Sequence, residues 1–152
     1  MNYYDNCICR AKDKNGHWRE GYYVRHEDRQ PCVIGDGLKD DEIEHYIFYD
    51  GFADWNMPRS LEAIEVDPNT VCRYTGINDK HGKRIFTNDV IRVRDFSIER
   101  KIVRLVVEFD EGGFCAGRNF LQSWLSDGEF HGEVIGNIFD NPTALEEVDQ
   151  DD

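Results

Sequence analysis

The residues of this chain that could do chemistry are scattered, and their spacing limits which reactions they can serve. Five cysteines and five histidines occur in 152 residues. Cys7 and Cys9 are the one close cysteine pair, and their single intervening residue is fewer than the two to four of the usual zinc-ligand spacing. No second Cys or His pair completes a site, so neither a structural metal nor a cofactor is expected. Cys32, Cys72 and Cys115 stand alone, and an odd, dispersed set fits reduced thiols better than a disulfide framework. His17, His26 and His81 lie in or beside turn sequences, where a solvated imidazole is ordinary, while His45 and His131 begin candidate strands. There is no Gly-x-Ser-x-Gly elbow, phosphate-binding loop or dinucleotide fingerprint, and paired carboxylates are too abundant for any one pair to be informative. No catalytic residue is assigned, and an enzyme ranks last among the functional readings.

Charge says more. The net charge is −13, yet residues 73–104 hold nine basic and four acidic residues, a local +5 between an N-terminal stretch of −7 and a C-terminal one of −11. The basic set is Arg73, Lys80, Lys83, Arg84, Arg92, Arg94, Arg100, Lys101 and Arg104, with Tyr74 and Phe86 interleaved. On one face these residues could track a phosphate backbone, so nucleic-acid binding is the second reading. The bland alternative is that the charges neutralise one another across strands. An acidic chain also suits a basic protein surface. A protein-interaction or assembly role therefore ranks first, with a basic protein as partner and a second copy of the chain left open. Asp89 is the single acidic residue worth following, and the simplest role for it is accepting backbone N–H bonds at a corner.

The elements that must position these residues read as short strands. Asp13-Lys14-Asn15-Gly16 and Asp79-Lys80-His81-Gly82 share one turn chemistry, Asp at the first corner and Gly at the fourth. Each predicts a hairpin, and Thr87-Asn88-Asp89 predicts a second tight corner before a strand from Val90 to Arg94. Strands are also expected at 7–11, 17–25, 31–34, 45–49, 101–109 and 131–138, with Gly21 a natural bulge or bend. The acidic run 39–44 reads as a solvated loop. Residues 52–60 have no clean period, and Leu61 to Val66 could be helix or strand. Asn119 is placed to cap a short helix with Phe120, Leu121, Trp124 and Leu125 on one face, and Asn141-Pro142 to start a helical turn. The order of elements over about 73–142 predicts a small SH3-like β-barrel. The expected organisation is a β-rich part at 1–72 packed on that barrel at 73–145, then an acidic tail at 146–152. No apolar run reaches the roughly 20 residues of a membrane span, and no leader is visible, so a cytoplasmic protein is expected.

The run Tyr74-Thr75-Gly76-Ile77-Asn78-Asp79, continued by Gly82-Lys83, Ile85 and Asp89-Val90-Ile91, resembles the signature of the YopX-like proteins, a family encoded mainly by phages and prophages. Gly16 to Val24, Val66 to Val71 and Glu133 to Pro142 agree with it too, so the resemblance spans about residues 7 to 146. Asn88 stands where the family usually has Gly, and Asn tolerates the same left-handed backbone. The resemblance implies a mostly β protein in a phage-derived setting, but no substrate. It marks Tyr74, Thr75, Gly76, Gly82, Asp89, Gly136, Asn137, Asn141 and Pro142 as structural motif residues.

Because the acidic ends outweigh the basic segment, the intact protein should not shift duplex DNA in a gel at about 0.15 M salt, where the Debye length is roughly 8 Å. Tight binding under those conditions would put the nucleic-acid reading first.

Overall fold

A computed structural model describes residues 3–29, 39–95 and 101–146. The chain divides into two compact units, Cys7–Cys72 and a second one of Met1–Asn6 with Arg73–Asp152.

In the Cys7–Cys72 unit, four antiparallel strands follow the alternation of the sequence. They are β1 (Cys9–Lys12), β2 (Trp18–Glu27), β3 (Ile43–Asp50) and β4 (Leu61–Glu65), hydrogen-bonded in the order β4-β3-β2-β1. Leu61 to Glu65 is strand, with each residue paired against β3 from Asp50 to Tyr46. Ala11, Ile47 and Val66 are buried, with Cys9, Tyr23, Tyr49, Ile64 and Val71 packed against them. One isolated bridge, Asp13 to Val66, ties the end of β1 to the end of β4. Gly21 keeps regular register opposite Cys9. A Cβ there would collide with the Phe48 carbonyl on β3, so close approach of backbones sets this glycine. The acidic run contributes a 3-10 turn, Asp40–Glu42, and then the start of β3. The strand expected at 31–34 lies outside the described residues.

In the other unit, β5 (Cys72–Asn78) and β6 (Arg84–Phe86) form the hairpin around Asp79. A five-stranded antiparallel sheet follows, built from β7 (Asp89–Asp95), β8 (Lys101–Asp110), β9 (Gly113–Ala116), β10 (Asn119–Phe120) and β13 (Glu133–Asn137), in the order β10-β9-β8-β7-β13. The short pair β11 (Leu125–Ser126) and β12 (Glu129–Phe130) lies between them in sequence. One face of the sheet carries Ile91, Val93 and Val107, which form a core with Ile85, Ala116, Leu121 and Phe130.

The SH3-like barrel is overturned: the fold is mainly β, but the sheet is open. Its end strands, β10 and β13, each have one neighbour in it. The rims are ended by groups that cannot continue a ladder. β10 is two residues long and runs straight into a 3-10 turn, Leu121–Trp124. Along β13, the Val134 N–H donates to Asp79 Oδ2 at 3.1 Å instead of to another strand.

The expected short helices are corrected as well, since the described residues contain 3-10 turns and no α-helix. Asn119 and Phe120 pair in extended form with Ala116 and Cys115, which consumes the residues a first helical turn would need. Leu121 is buried while Phe120 is 47% exposed, so the apolar residues do not share one face. At Asn141 to Leu145 the chain makes a bonded turn, Ala144 N–H to Asn141 O at 3.0 Å, and goes no further into helix.

Gly82 has φ +80°, and a Cβ placed on it would meet nothing within 4 Å. A side chain there is opposed by backbone conformation alone. Gly82→Val should therefore cost about 1–3 kcal/mol more than the neighbouring Lys83→Val in urea unfolding; equal midpoints would refute the turn geometry.

Candidate functional site

The basic segment is the first place to look for a site, and in the folded unit several of its cations have specific partners. β7 and β8 pair so that Arg92 faces Arg104, a like-charge pair that is unfavourable unless each finds an acceptor. Each does. Arg104 donates to the Ala144 carbonyl at 2.9 Å. Arg92 is opposite Glu133 of β13 and forms an ion pair with it. Lys80 and His81, from the Asp79 corner, reach the same carboxylate at 2.9 Å and 3.1 Å. Hydrogen bonds from Lys80 and then Arg92 pull the Glu133 pKa down from 4.5 to about 2, against burial, with His81 adding to the effect.

The other cations are spread out. The Arg73 guanidinium packs 4.5 Å from the Phe109 ring centroid and 5.4 Å from that of Phe114, and Arg84 lies 5.8 Å from that of Tyr74. Lys83, Arg94 and Lys101 are exposed. Arg100 lies outside the described residues. Glu133 offsets part of this positive charge, while Arg73 and Arg84 lie against aromatic faces and stay exposed.

The motif residues build corners. Asp79 is buried, and its Oδ1 accepts from His81 N–H and Lys83 N–H, each at 2.9 Å. Burial raises its pKa, but the Val134, Lys83 and His81 N–H donors outweigh that and hold it below the usual value. Tyr74 is buried against Phe86 and donates its hydroxyl to Asn78 Oδ1 at 2.7 Å; Thr75 Oγ1 donates to the Ile85 carbonyl at 2.9 Å. Gly76 has φ +81°, and Asn88, in the position usually Gly, has φ +67°. Fully buried Asp89 accepts from Phe86 N–H at 2.8 Å, which is the corner role read from its position. Asn137 Oδ1 accepts from Phe139 and Asp140 N–H, at 3.0 Å and 2.9 Å. Gly136 leaves room for the Asn141 side chain, whose Cβ would lie 2.9 Å from a Cβ at 136, and Pro142 sits exposed in the turn that follows.

Among the described residues, no three of His, Cys, Asp or Glu gather as metal ligands. Among the described residues, Cys7, Cys9, Cys72 and Cys115 are not joined in disulfides, and Cys32 lies outside the described residues. An open groove of about 730 Å³ runs beside Arg94, Trp124, Leu125 and His131. The Trp124 indole N–H donates to the Ala116 carbonyl at 3.3 Å, so the ring is fixed as a wall of that groove. No helix among the described residues is long and apolar enough to cross a membrane.

The surface that sequence reasoning missed is in the other unit, in the loop joining β3 to β4. Phe52 is 91% exposed, Trp55 93%, Met57 67%, and Leu61 at the start of β4 70%. Four large apolar side chains within ten residues are held out in water, bordered by Asp50, Asp54 and Glu62. Their lack of any strand or helix period was the available signal, since residues that serve no core need follow neither repeat.

A family model described as YopX protein matches residues 8–146. No curated relative matches significantly. Among solved structures, the crystal structure of protein EF1440 from Enterococcus faecalis is similar, with a TM-score of 0.52 and 20% identity over 90% of this chain and 96% of that one. At that identity the likeness is one of fold.

The Glu133 cluster has a pH signature. Its depressed pKa contributes stability that is complete above pH 4.5 and lost as pH falls toward about 2. Glu133→Gln should therefore be less stable than wild type at neutral pH, and the gap should close across that window in acid-dependent urea unfolding. Parallel curves would mean that the carboxylate is not held by Lys80 and Arg92.

Proposed function

The chain belongs to the YopX family of phage and prophage proteins, and on that footing we propose that it acts as a non-catalytic protein-interaction module that docks a basic partner surface. The observation that carries the reading is the exposure of Phe52 and Trp55, at 91% and 93%. An aromatic side chain offers about 150–250 Å² of burial, and apolar area gains roughly 25 cal/mol per Å² when it leaves water. Two such rings beside Met57 and Leu61 supply the kind of anchors that dominate protein interfaces. These four side chains carry no nucleophile or proton-transfer group, so the apolar set is suited to binding.

Charge selects the partner. Residues 50–65 carry Asp50, Asp54, Glu62 and Glu65 against Arg59 alone, within a chain of net charge −13. An apolar centre in an acidic border complements an apolar patch edged by Lys or Arg, and long-range attraction between such surfaces speeds encounter. The same acidic field acts against nucleic acid, and Glu133 withdraws Arg92 and Lys80 from that role. The partner of this reading is a host or phage protein in the bacterium that makes the chain.

The test is photo-cross-linking in that bacterium with p-benzoylphenylalanine in place of Trp55. One discrete adduct with a basic protein is expected, and it should fall at least tenfold when Phe52→Ser and Met57→Ser are added. Both changes are at exposed positions and should leave the melting temperature nearly unchanged. A diffuse ladder of adducts insensitive to those changes would refute the reading.

A further inference from the structure

We propose that β4 is a docking edge, and that the partner adds an extended, basic segment as a further strand beside Leu61 and Ala63. This inference rests on the protein-interaction reading above and specifies how the partner is held.

The register of the sheet fixes which backbone groups face outward. β3 and β4 pair as Asp50 to Leu61, Phe48 to Ala63 and Tyr46 to Glu65. At the two ends of that ladder, Gly51 N–H donates to Ser60 O at 2.8 Å, and Val66 N–H to His45 O at 2.9 Å. Hydrogen-bonded and non-bonded pairs alternate along an antiparallel ladder. Residues 60, 62, 64 and 66 therefore direct N–H and C=O toward β3, and Leu61 and Ala63 direct theirs away from it. β4 is the terminal strand of its sheet, and no backbone bond from another described residue meets Leu61 or Ala63 on that side. Both residues are exposed.

The β13 edge, by contrast, is partly occupied. β13 gives its Val134 N–H to the Asp79 carboxylate, and the neighbouring Gly132 carbonyl accepts from Lys80 N–H at 3.0 Å. The far end of β4 is covered by the Asp13 to Val66 bridge and by the Asp67 N–H bond to the Lys12 carbonyl. What stays open is the first half of β4, the part that continues directly from the Phe52–Met57 loop. An unpaired strand edge is a template for another chain and is usually blunted. Here it instead follows three exposed apolar side chains, Phe52, Trp55 and Met57, and begins on a fourth, Leu61.

Charge commits the occupant. Strand alternation puts Leu61 and Ala63 on one face of β4 and Glu62 on the other, and the strand has no basic residue. A second copy of the chain pairing edge to edge would bring two strands together that each carry Glu62 and Glu65 and no basic residue, and that like charge disfavours the pairing. An incoming strand with Lys or Arg on one face and apolar residues on the other meets Glu62 and the Leu61–Ala63 face together. Main-chain bonds would hold such a segment, and the exposed loop would select among candidates, the division of labour seen in strand addition generally.

The probe is a fluorescein-labelled octapeptide of alternating Lys and Val, titrated with the full chain and followed by anisotropy. Saturable binding is expected, weakening as salt rises, and at least tenfold weaker for the same peptide N-methylated at alternate residues. Ala63→Pro removes an outward N–H and no bond to β3, a position where an edge strand tolerates proline. It should lower peptide affinity at least tenfold while keeping the circular dichroism of the parent. Should that variant fail to fold, amide exchange of the wild-type chain decides: added peptide must slow exchange at Leu61 and Ala63. No peptide binding, equal affinity for the methylated peptide, or unprotected Leu61 and Ala63 amides would each overturn strand addition. A position-55 adduct surviving any of those results would leave the loop reading standing without the edge.

Discussion

The folded unit that contains residues 73–146 depends on how one buried carboxylate is satisfied. Asp79 is taken out of water at a corner, where an ionised carboxylate is costly unless several donors meet it. The turn supplies two of them through Oδ1, and β13 supplies the third through Oδ2. One side chain therefore closes the β5–β6 hairpin and ends the sheet at β13. The Asp13 corner in the other unit repeats the local half of this arrangement. Its Oδ1 accepts from Asn15 N–H at 2.8 Å and His17 N–H at 3.0 Å, and Gly16 takes φ +80°. There Oδ2 meets Arg19 Nε at 2.9 Å instead of a strand edge. The turn chemistry is shared, and only the second oxygen distinguishes what each corner holds.

The local charge of a sequence segment is a poor guide to the field of a folded surface. The +5 segment of residues 73–104 places Arg92 and Lys80 where Glu133, almost 30 residues beyond its end, can reach both. A strand-to-strand register unknowable from the segment itself decides this, because Glu133 sits opposite Arg92 only when β13 pairs with β7.

What was legible follows from the range of the interaction that sets each feature. Asp79, Gly82 and Asn88 act through backbone atoms within a few residues, so their corners could be read directly from residue type. β8 was equally plain, since a run of Ile102, Val103, Leu105, Val106 and Val107 has few alternatives to a strand. Asn119 to Leu125 misled because Phe120, Leu121, Trp124 and Leu125 do have helical spacing, yet pairing with β9 outcompetes a helix too short to sustain itself. Barrel closure was misjudged for a related reason, as the two-residue length of β10 is decided by tertiary pairing and not by local pattern. The apolar loop could be read only as a stretch without a clean period, because the exposure of Phe52 and Trp55 is set by the fold and not by local pattern.

In this account, corners built by short-range bonds hold the sheets, and the proposed binding surface lies on the exposed loop between β3 and β4. The claim most open to direct measurement is that Asp79 clasps β13. Titration of the Asp79 side-chain carboxyl carbon by NMR, alongside the Val134 amide proton, tests it. The account predicts a pKa below the usual aspartate value, with the Val134 amide shift moving at the same midpoint. An ordinary pKa with a Val134 amide that ignores the titration would contradict it.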